Sequence, residues 1–146
     1  MSPLSSLVSP VLLVVAGTIH LLPLAGVLGR GHLAQLYGLA PAALADPNLL
    51  LLLRHRAVLF GLVGGLLLWA AADAGLRRPA LVVGGISAAT FLVLARAGGS
   101  YNAQLARVVT ADVVALVCLI IAGIAHAVGL SANGAARVSG RRVRCR

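Results

Sequence analysis

Four long apolar runs, separated by short polar stretches, dominate the pattern of the chain. A helix needs about 20 mostly apolar residues to cross the hydrocarbon core of a bilayer. By this criterion there are four predicted spans, from about Leu4 to Leu28, Asn48 to Ala72, Pro79 to Ala97 and Ala103 to Gly129. Because lipid-facing backbone must satisfy its own hydrogen bonds, we expect one all-α domain over residues 1–130. The short second and third connections favour an up-down four-helix bundle.

The first connection is the longest and has structure of its own. Asp46 followed by Pro47 is typical of a helix start, with Asp46 as the N-cap of the second span. The stretch from His32 to Tyr37 predicts a short helix in the headgroup layer. Pro23, near the end of the first span, predicts a local bend there.

Composition confirms the class of protein that this pattern indicates. The chain is 60% hydrophobic and 10% charged, which no ordinary soluble domain of this size shows. A soluble nucleic-acid binder is therefore excluded, although the formal charge is +9. Cys118 and Cys145 form neither a CxxC pair nor a zinc-ligand spacing, so we predict no metal site.

The distribution of arginines predicts the orientation. Cytoplasmic loops hold the excess of basic residues, and Arg77 and Arg78 fall on the same side as the five arginines of the C-terminal tail. Both termini are thus expected in the cytoplasm, with the protein multi-pass in its membrane. Residues 131–146 are predicted to be a disordered basic tail that touches anionic lipid.

Ionisable side chains within the spans indicate where function lies, because they are costly in hydrocarbon. With both termini inside, His20, His55 and Asp112 sit roughly 10 to 14 Å below the outer surface. Seven residues in this half of the bilayer are predicted to form a ligand site: His20, Arg54, Arg56, Tyr101, Asn102, Arg107 and Asp112.

Helical phase assigns partners within this layer. Arg54 shares a face with the small residues Gly61 and Gly65, so this face is predicted to be buried and Arg54 to pair with Asp112. His20 is expected to bond a ligand, a neighbouring helix or the carbonyl that Pro23 leaves free.

Several interpretations of the layer remain open. The Arg54–Asp112 pair could serve helix packing alone. An excess of positive charge in the layer suits a small anionic or quinone-like headgroup, bound without catalysis. The protein could instead be an accessory subunit of a membrane complex, or form a homo-oligomer. The alternative is a small membrane enzyme, an oxidoreductase or glutathione-type transferase. Haem between His20 and His55 is disfavoured, because two arginines flank His55.

Several strings resemble those of a known group of proteins. They are His20-Leu-Leu-Pro23, Leu36-Tyr-Gly-Leu39, Asp46-Pro-Asn-Leu, Arg54-His-Arg-Ala-Val-Leu-Phe-Gly61, and Tyr101-Asn102 with Arg107 and Ala111-Asp112. Together they resemble a family of small bacterial four-helix membrane proteins of unassigned activity, over most of residues 15–120. Members sometimes bear the label phosphopantetheine adenylyltransferase, an activity of soluble α/β enzymes with a His-x-Gly-His motif that this chain lacks. In outline the chain is also similar to DoxX-like four-helix proteins.

Overall fold

The computed structural model describes the backbone of residues 3–143 and the side chains of residues 7–131. Regular structure in this part of the chain is entirely helical. The α-helices are α1 (Pro3–Leu21), α2 (Arg30–Tyr37), α3 (Pro47–Ala72), α4 (Arg77–Ala97) and α5 (Ala103–Val143). Short 3-10 helices follow α1 (Leu22–Leu28) and precede α3 (Ala43–Ala45) and α4 (Ala74–Leu76).

Four segments are long and apolar enough to cross a membrane. They are Leu7–Leu28, Pro47–Ala72, Ala74–Ala97 and Ala103–Ser131. Their bounds agree with the sequence prediction to within five residues at each end, so an all-helical protein with four candidate spans is confirmed. Large apolar side chains such as Leu51, Leu62 and Trp69 remain exposed, as expected for surfaces that lipid covers.

The last helix is longer than its span. The helix continues to Val143, whereas the sequence pattern predicts a disordered tail that begins at residue 131. Residues 144–146 of that predicted tail lie outside the described residues.

The four long helices enclose one core. α1 packs against α3 and α5, and α4 packs against α5 and α3. Alanine makes up much of the buried set, which consists of Leu13, Ala16, Leu67, Ala70, Ala80, Ala115, Leu119 and Ala122. Small side chains at these positions allow close approach of the helix backbones, which is how helices associate in lipid.

The closest approach lies where α1 crosses α3. A Cβ atom on Gly17 would lie 3.1 Å from the carbonyl oxygen of Gly64, and one on Gly64 would lie 2.9 Å from the carbonyl oxygen of Gly17. Gly65, which the sequence places in the packing stripe, has open space beside it. The α1–α3 contact therefore requires glycine at 64, and at 17 it leaves a Cβ room only if its neighbours shift by a few tenths of an ångström.

Polar side chains define the helix ends. Asp46 accepts a hydrogen bond of 2.8 Å from the backbone N–H of Asn48, and Pro47 begins α3, so the predicted N-cap is confirmed. At the other end, the Arg77 guanidinium donates to the carbonyls of Ala70 and Ala71, at 3.2 and 3.4 Å. These carbonyls would otherwise lack partners at the end of α3.

A second, smaller core lies under α2. Leu33 and Tyr37 of α2 are buried against Leu44 and Leu50, with Leu105 and Val108 of α5 packed beside them. The short helix predicted at His32–Tyr37 thus exists, and it packs on the 3-10 helix Leu22–Leu28 and on α5. It covers one end of the bundle, and the polar groups lie beneath it.

Candidate functional site

The face of α3 that meets the protein differs from the predicted one. Its buried residues are Leu50, Ala57, Gly64, Leu67 and Ala70, whereas Arg54 is exposed on the outside. The predicted burial of Arg54 is therefore wrong, and it forms no pair with Asp112 in the structure. The prediction assumed that the face with Gly61 and Gly65 packs against the protein, whereas the structure buries Gly64.

Arg56 occupies the inner position instead. Its guanidinium carbon lies 4.6 Å from the ring centroid of Phe91, 5.2 Å from that of Phe60 and 5.8 Å from that of Tyr37. Aromatic faces within about 6 Å attract a cation electrostatically. The charge is thus held by rings from α2, α3 and α4, on the side of α3 that faces the bundle.

The three rings around Arg56 are called the aromatic cage here. His20 is fully buried in α1 beside this cage. Its Nδ1 lies 2.9 Å from the carbonyl oxygen of Ala16, one turn earlier, and must donate because a carbonyl only accepts. The ring stacks on Phe60, with centroids 5.7 Å apart and planes 25° apart. Its Nε2 is buried with no hydrogen-bond partner among the described residues. The expected bond to the carbonyl freed by Pro23 is replaced by the bond to Ala16.

Asp112 is the acid within the spans, and it is 3% exposed. Its Oδ2 atom is buried without a hydrogen-bond partner among the described residues. His20 and Arg56 are the basic residues that act electrostatically on its carboxyl group. Asp112 therefore lies within electrostatic range of His20 on α1 and Arg56 on α3, but it forms no direct ion pair with either.

Tyr37 completes this group, and the sequence analysis assigned it only to the headgroup layer. Its hydroxyl is buried without a partner among the described residues. Burial raises the pKa of Tyr37 above its ordinary value near 10, the Arg56 charge lowers it and Asp112 raises it. The four residues His20, Tyr37, Arg56 and Asp112 are hereafter the buried polar cluster. The apolar stripe Leu33–Tyr37, four residues apart, is the sequence signal that Tyr37 faces the protein.

Asn102 has a structural position between two helix ends. Its side-chain oxygen accepts from the backbone N–H of Leu105 at 2.8 Å, which caps α5. Its Nδ2 donates to the carbonyls of Tyr37 and Gly38, at 2.8 and 3.4 Å. Asn102 thus ties the end of α2 to the start of α5, while the neighbouring Tyr101 is 44% exposed.

A pocket of about 240 Å³ opens between the end of α1, α2 and α5. Its lining consists of Ile19, Leu22, Pro23, Gln35, Leu36, Gln104, Arg107, Val108, Ala111 and Asp112. Arg107 and Asp112 were predicted as site residues. Gln35 and Gln104 were missed, because an amide on a helix end gives no signal in a single sequence.

The pocket contains a small set of polar groups on apolar walls. Arg107 offers a positive charge, Asp112 offers a carboxyl group, and the amides of Gln35 and Gln104 both donate and accept. His20, Arg54, Arg56, Tyr101 and Asn102 do not line it. Of the seven predicted site residues, two line the pocket, and His20 and Arg56 belong to the buried polar cluster. Asn102 connects two helix ends, and Arg54 and Tyr101 are exposed.

The structure does not bring together two histidines for haem. His20 is buried, whereas His55 is exposed on the outer face of α3. The described residues also contain no group of three or more His, Cys, Asp or Glu side chains that could hold a metal ion.

Comparisons with known protein families, with curated proteins and with solved structures find no match to this chain.

Proposed function

We propose that this protein binds a quinone-like headgroup in the pocket between α1, α2 and α5, without catalysing a reaction on it. The main support is the position of Asp112, a buried residue that lines the pocket and whose Oδ2 atom has no hydrogen-bond partner among the described residues. A buried polar atom without a partner calls for a ligand or water that provides one. A ligand hydroxyl that donates to the Asp112 carboxyl group would supply such a partner.

The charges at the pocket favour a neutral headgroup over an anionic one. The seven predicted site residues include three arginines and one acid, but Arg54 and Arg56 lie outside the lining. One arginine beside a carboxyl group remains, which attracts a phosphate or carboxylate less than three arginines would. A ring with carbonyl or hydroxyl groups can accept from Arg107 or an amide and donate to Asp112.

Depth and size also fit a ring followed by an apolar chain. At 1.5 Å per residue, Asp112 lies about 13 Å along α5 from its start at Ala103, and Arg107 about 6 Å. The volume of about 240 Å³ equals roughly eight water molecules at ~30 Å³ each, enough for one substituted ring. Apolar walls formed by Ile19, Leu22 and Leu36 would contact the chain that follows.

The buried polar cluster supports the pocket from behind. His20 and Arg56 act electrostatically on the Asp112 carboxylate, although neither reaches the pocket. In this proposal they keep Asp112 in place as an acceptor, and only Asp112 touches the ligand. His20 is thus a positioning residue, not the direct ligand contact that the sequence analysis expected.

The proposed setting is the bacterial inner membrane, with both termini in the cytoplasm. Support comes from the four candidate spans and from the arginine pair at Arg77 and Arg78, on the side of the basic C-terminal tail. The pocket would then lie in the outer leaflet. A C-terminal alkaline phosphatase fusion that is active outside the cytoplasm would contradict this orientation.

Native mass spectrometry with decylubiquinol, the reduced form that carries ring hydroxyls, as probe tests the binding proposal. We expect the wild-type protein in detergent to bind one molecule, and Asp112→Ala and Gln35→Leu to weaken binding about tenfold or more, as for a lost buried hydrogen bond. Arg54→Gln is the matched control and should bind normally, because Arg54 faces outward. Equal binding by wild type and Asp112→Ala, or displacement of the probe by phosphatidic acid but not by a second quinol, would overturn the proposal.

A further inference from the structure

A second pocket system lies at the other end of the bundle, in a groove between α4 and α5. Two neighbouring cavities of about 500 and 410 Å³ share Leu81, Gly123 and Ala127 in their lining, so they form one continuous groove. His126, on its rim, is 14 residues beyond Asp112 on the same helix, about 21 Å away along its axis. The groove is therefore separate from the pocket proposed above.

Two arginines and a histidine lie at one end of this groove. Arg78 and His126 line the wider cavity, and both Arg77 and Arg78 act electrostatically on His126. Arg77 is held there by its bonds to the last carbonyls of α3. Asp73 is the nearest acid in sequence, and its carboxylate accepts from the backbone N–H of Gly75 at 2.8 Å. The charge at this end of the groove suits an anion.

The rest of the groove is apolar and open. Leu116 and Ile120 line its far part, and a Cβ on Gly85 would meet nothing within 4 Å. From His126 to Leu116 the groove runs ten residues, about 15 Å, which equals half of the ~30 Å hydrocarbon core. Its length therefore matches the acyl region of one leaflet.

We propose that this groove binds one anionic phospholipid, with the phosphate at Arg78 and His126 and an acyl chain along α4 and α5. Such a lipid needs a positive charge for its phosphate and an apolar groove as long as one leaflet for its acyl chain. Here the basic end of the groove leads directly into the apolar part. Glycine at 85 and 123 leaves the space that the chain fills. This site does not depend on the function proposed for the first pocket. It can therefore be tested with the whole chain and membrane lipids alone.

Lipid retention measured by native mass spectrometry tests the proposal. The full-length protein is reconstituted in vesicles of phosphatidylcholine mixed with phosphatidylglycerol and then released into detergent. We expect wild type to retain one phosphatidylglycerol in preference to phosphatidylcholine. Arg78→Gln should lower this preference about fivefold, the effect expected for one arginine at a membrane surface. His126→Leu should lower it as well.

Matched variants separate a defined site from general surface charge. Arg96→Gln removes the same charge from the opposite end of α4 and should leave the preference unchanged. Gly85→Leu fills open space, so it should lower retention of the lipid while the far-ultraviolet circular dichroism stays that of wild type. Equal losses in Arg78→Gln and Arg96→Gln, or release of the bound lipid by inorganic phosphate alone, would overturn the proposal.

Discussion

The guanidinium of Arg56 lies 4.6 Å from the ring centroid of Phe91, on a different helix. The chain has five aromatic residues of the Phe, Tyr and Trp types, and three of them surround this one charge. Their faces offset part of the cost of placing an arginine in the apolar interior. Arg56 thereby links α2, α3 and α4 around the buried polar cluster.

Loss of this cage should destabilise the bundle selectively. We expect Arg56→Met to lower the free energy of unfolding by about 1–3 kcal/mol, because several cation–π contacts are lost at once. Arg54→Met, two residues away on the outer face, should change it by less than about 0.5 kcal/mol. Unfolding by SDS titration in mixed micelles measures both, and equal effects would show that the cage does not stabilise the fold.

The α1–α3 crossing should not tolerate even a methyl group. Gly17→Ala and Gly64→Ala each place a Cβ about 3 Å from a carbonyl oxygen of the other helix, so the helices must separate. The expected loss is about 1–3 kcal/mol, as for other overpacked contacts. Gly65→Ala is the control, since its Cβ enters open space. Thermal stability in detergent that ranks Gly65→Ala with the other two would contradict the crossing geometry.

Asn102 should control the order of α2. Asn102→Ala removes the cap of α5 and both bonds to the end of α2, at an expected cost of about 1–2 kcal/mol. Amide hydrogen exchange across residues 30–37 should accelerate in this variant. Tyr101→Ala, at the exposed neighbouring position, should leave exchange there unchanged. A uniform acceleration over the whole chain would point to global destabilisation instead.

Stability at alkaline pH should depend on Tyr37. Burial raises its pKa in the folded state above the ordinary value near 10. Below that pH both states hold the proton, but above it the unfolded chain ionises first, so the free energy of unfolding falls as pH rises beyond about 10. Tyr37→Phe should reduce this fall, and Tyr101→Phe should retain it. Thermal unfolding in detergent at pH 8 and above pH 10 tests the difference, and identical profiles would refute it.

Much of the fold follows from local patterns in the sequence. Span lengths depend only on runs of apolar residues, and the start of α3 depends on Asp46 and Pro47, which act within one turn. The α2 helix was likewise visible in its composition. These features require no knowledge of distant contacts.

Site geometry depended on distant contacts and was predicted less well. Two faces of α3 carry small residues, and in the structure Gly64 packs on Gly17, a contact that the sequence pattern alone does not show. Relative to the predicted orientation, α3 is rotated by about one residue position. Arg54 therefore lies on the outside and Arg56 lies against Phe91. Asp112 was recognised because a carboxylate within a span is costly wherever it points. The glutamines of the pocket had no comparable signal.

Photoaffinity labelling with an azidoquinol is the most direct test of the central claim, because it reports where the ring binds. After illumination and proteolysis, mass spectrometry locates the label. The account predicts labelled peptides from residues 19–23 and 104–112, suppressed by excess decylubiquinol and lost in Asp112→Ala. Label spread over the exposed face of α3, unaffected by excess quinol or by Asp112→Ala, would contradict a headgroup site at Asp112.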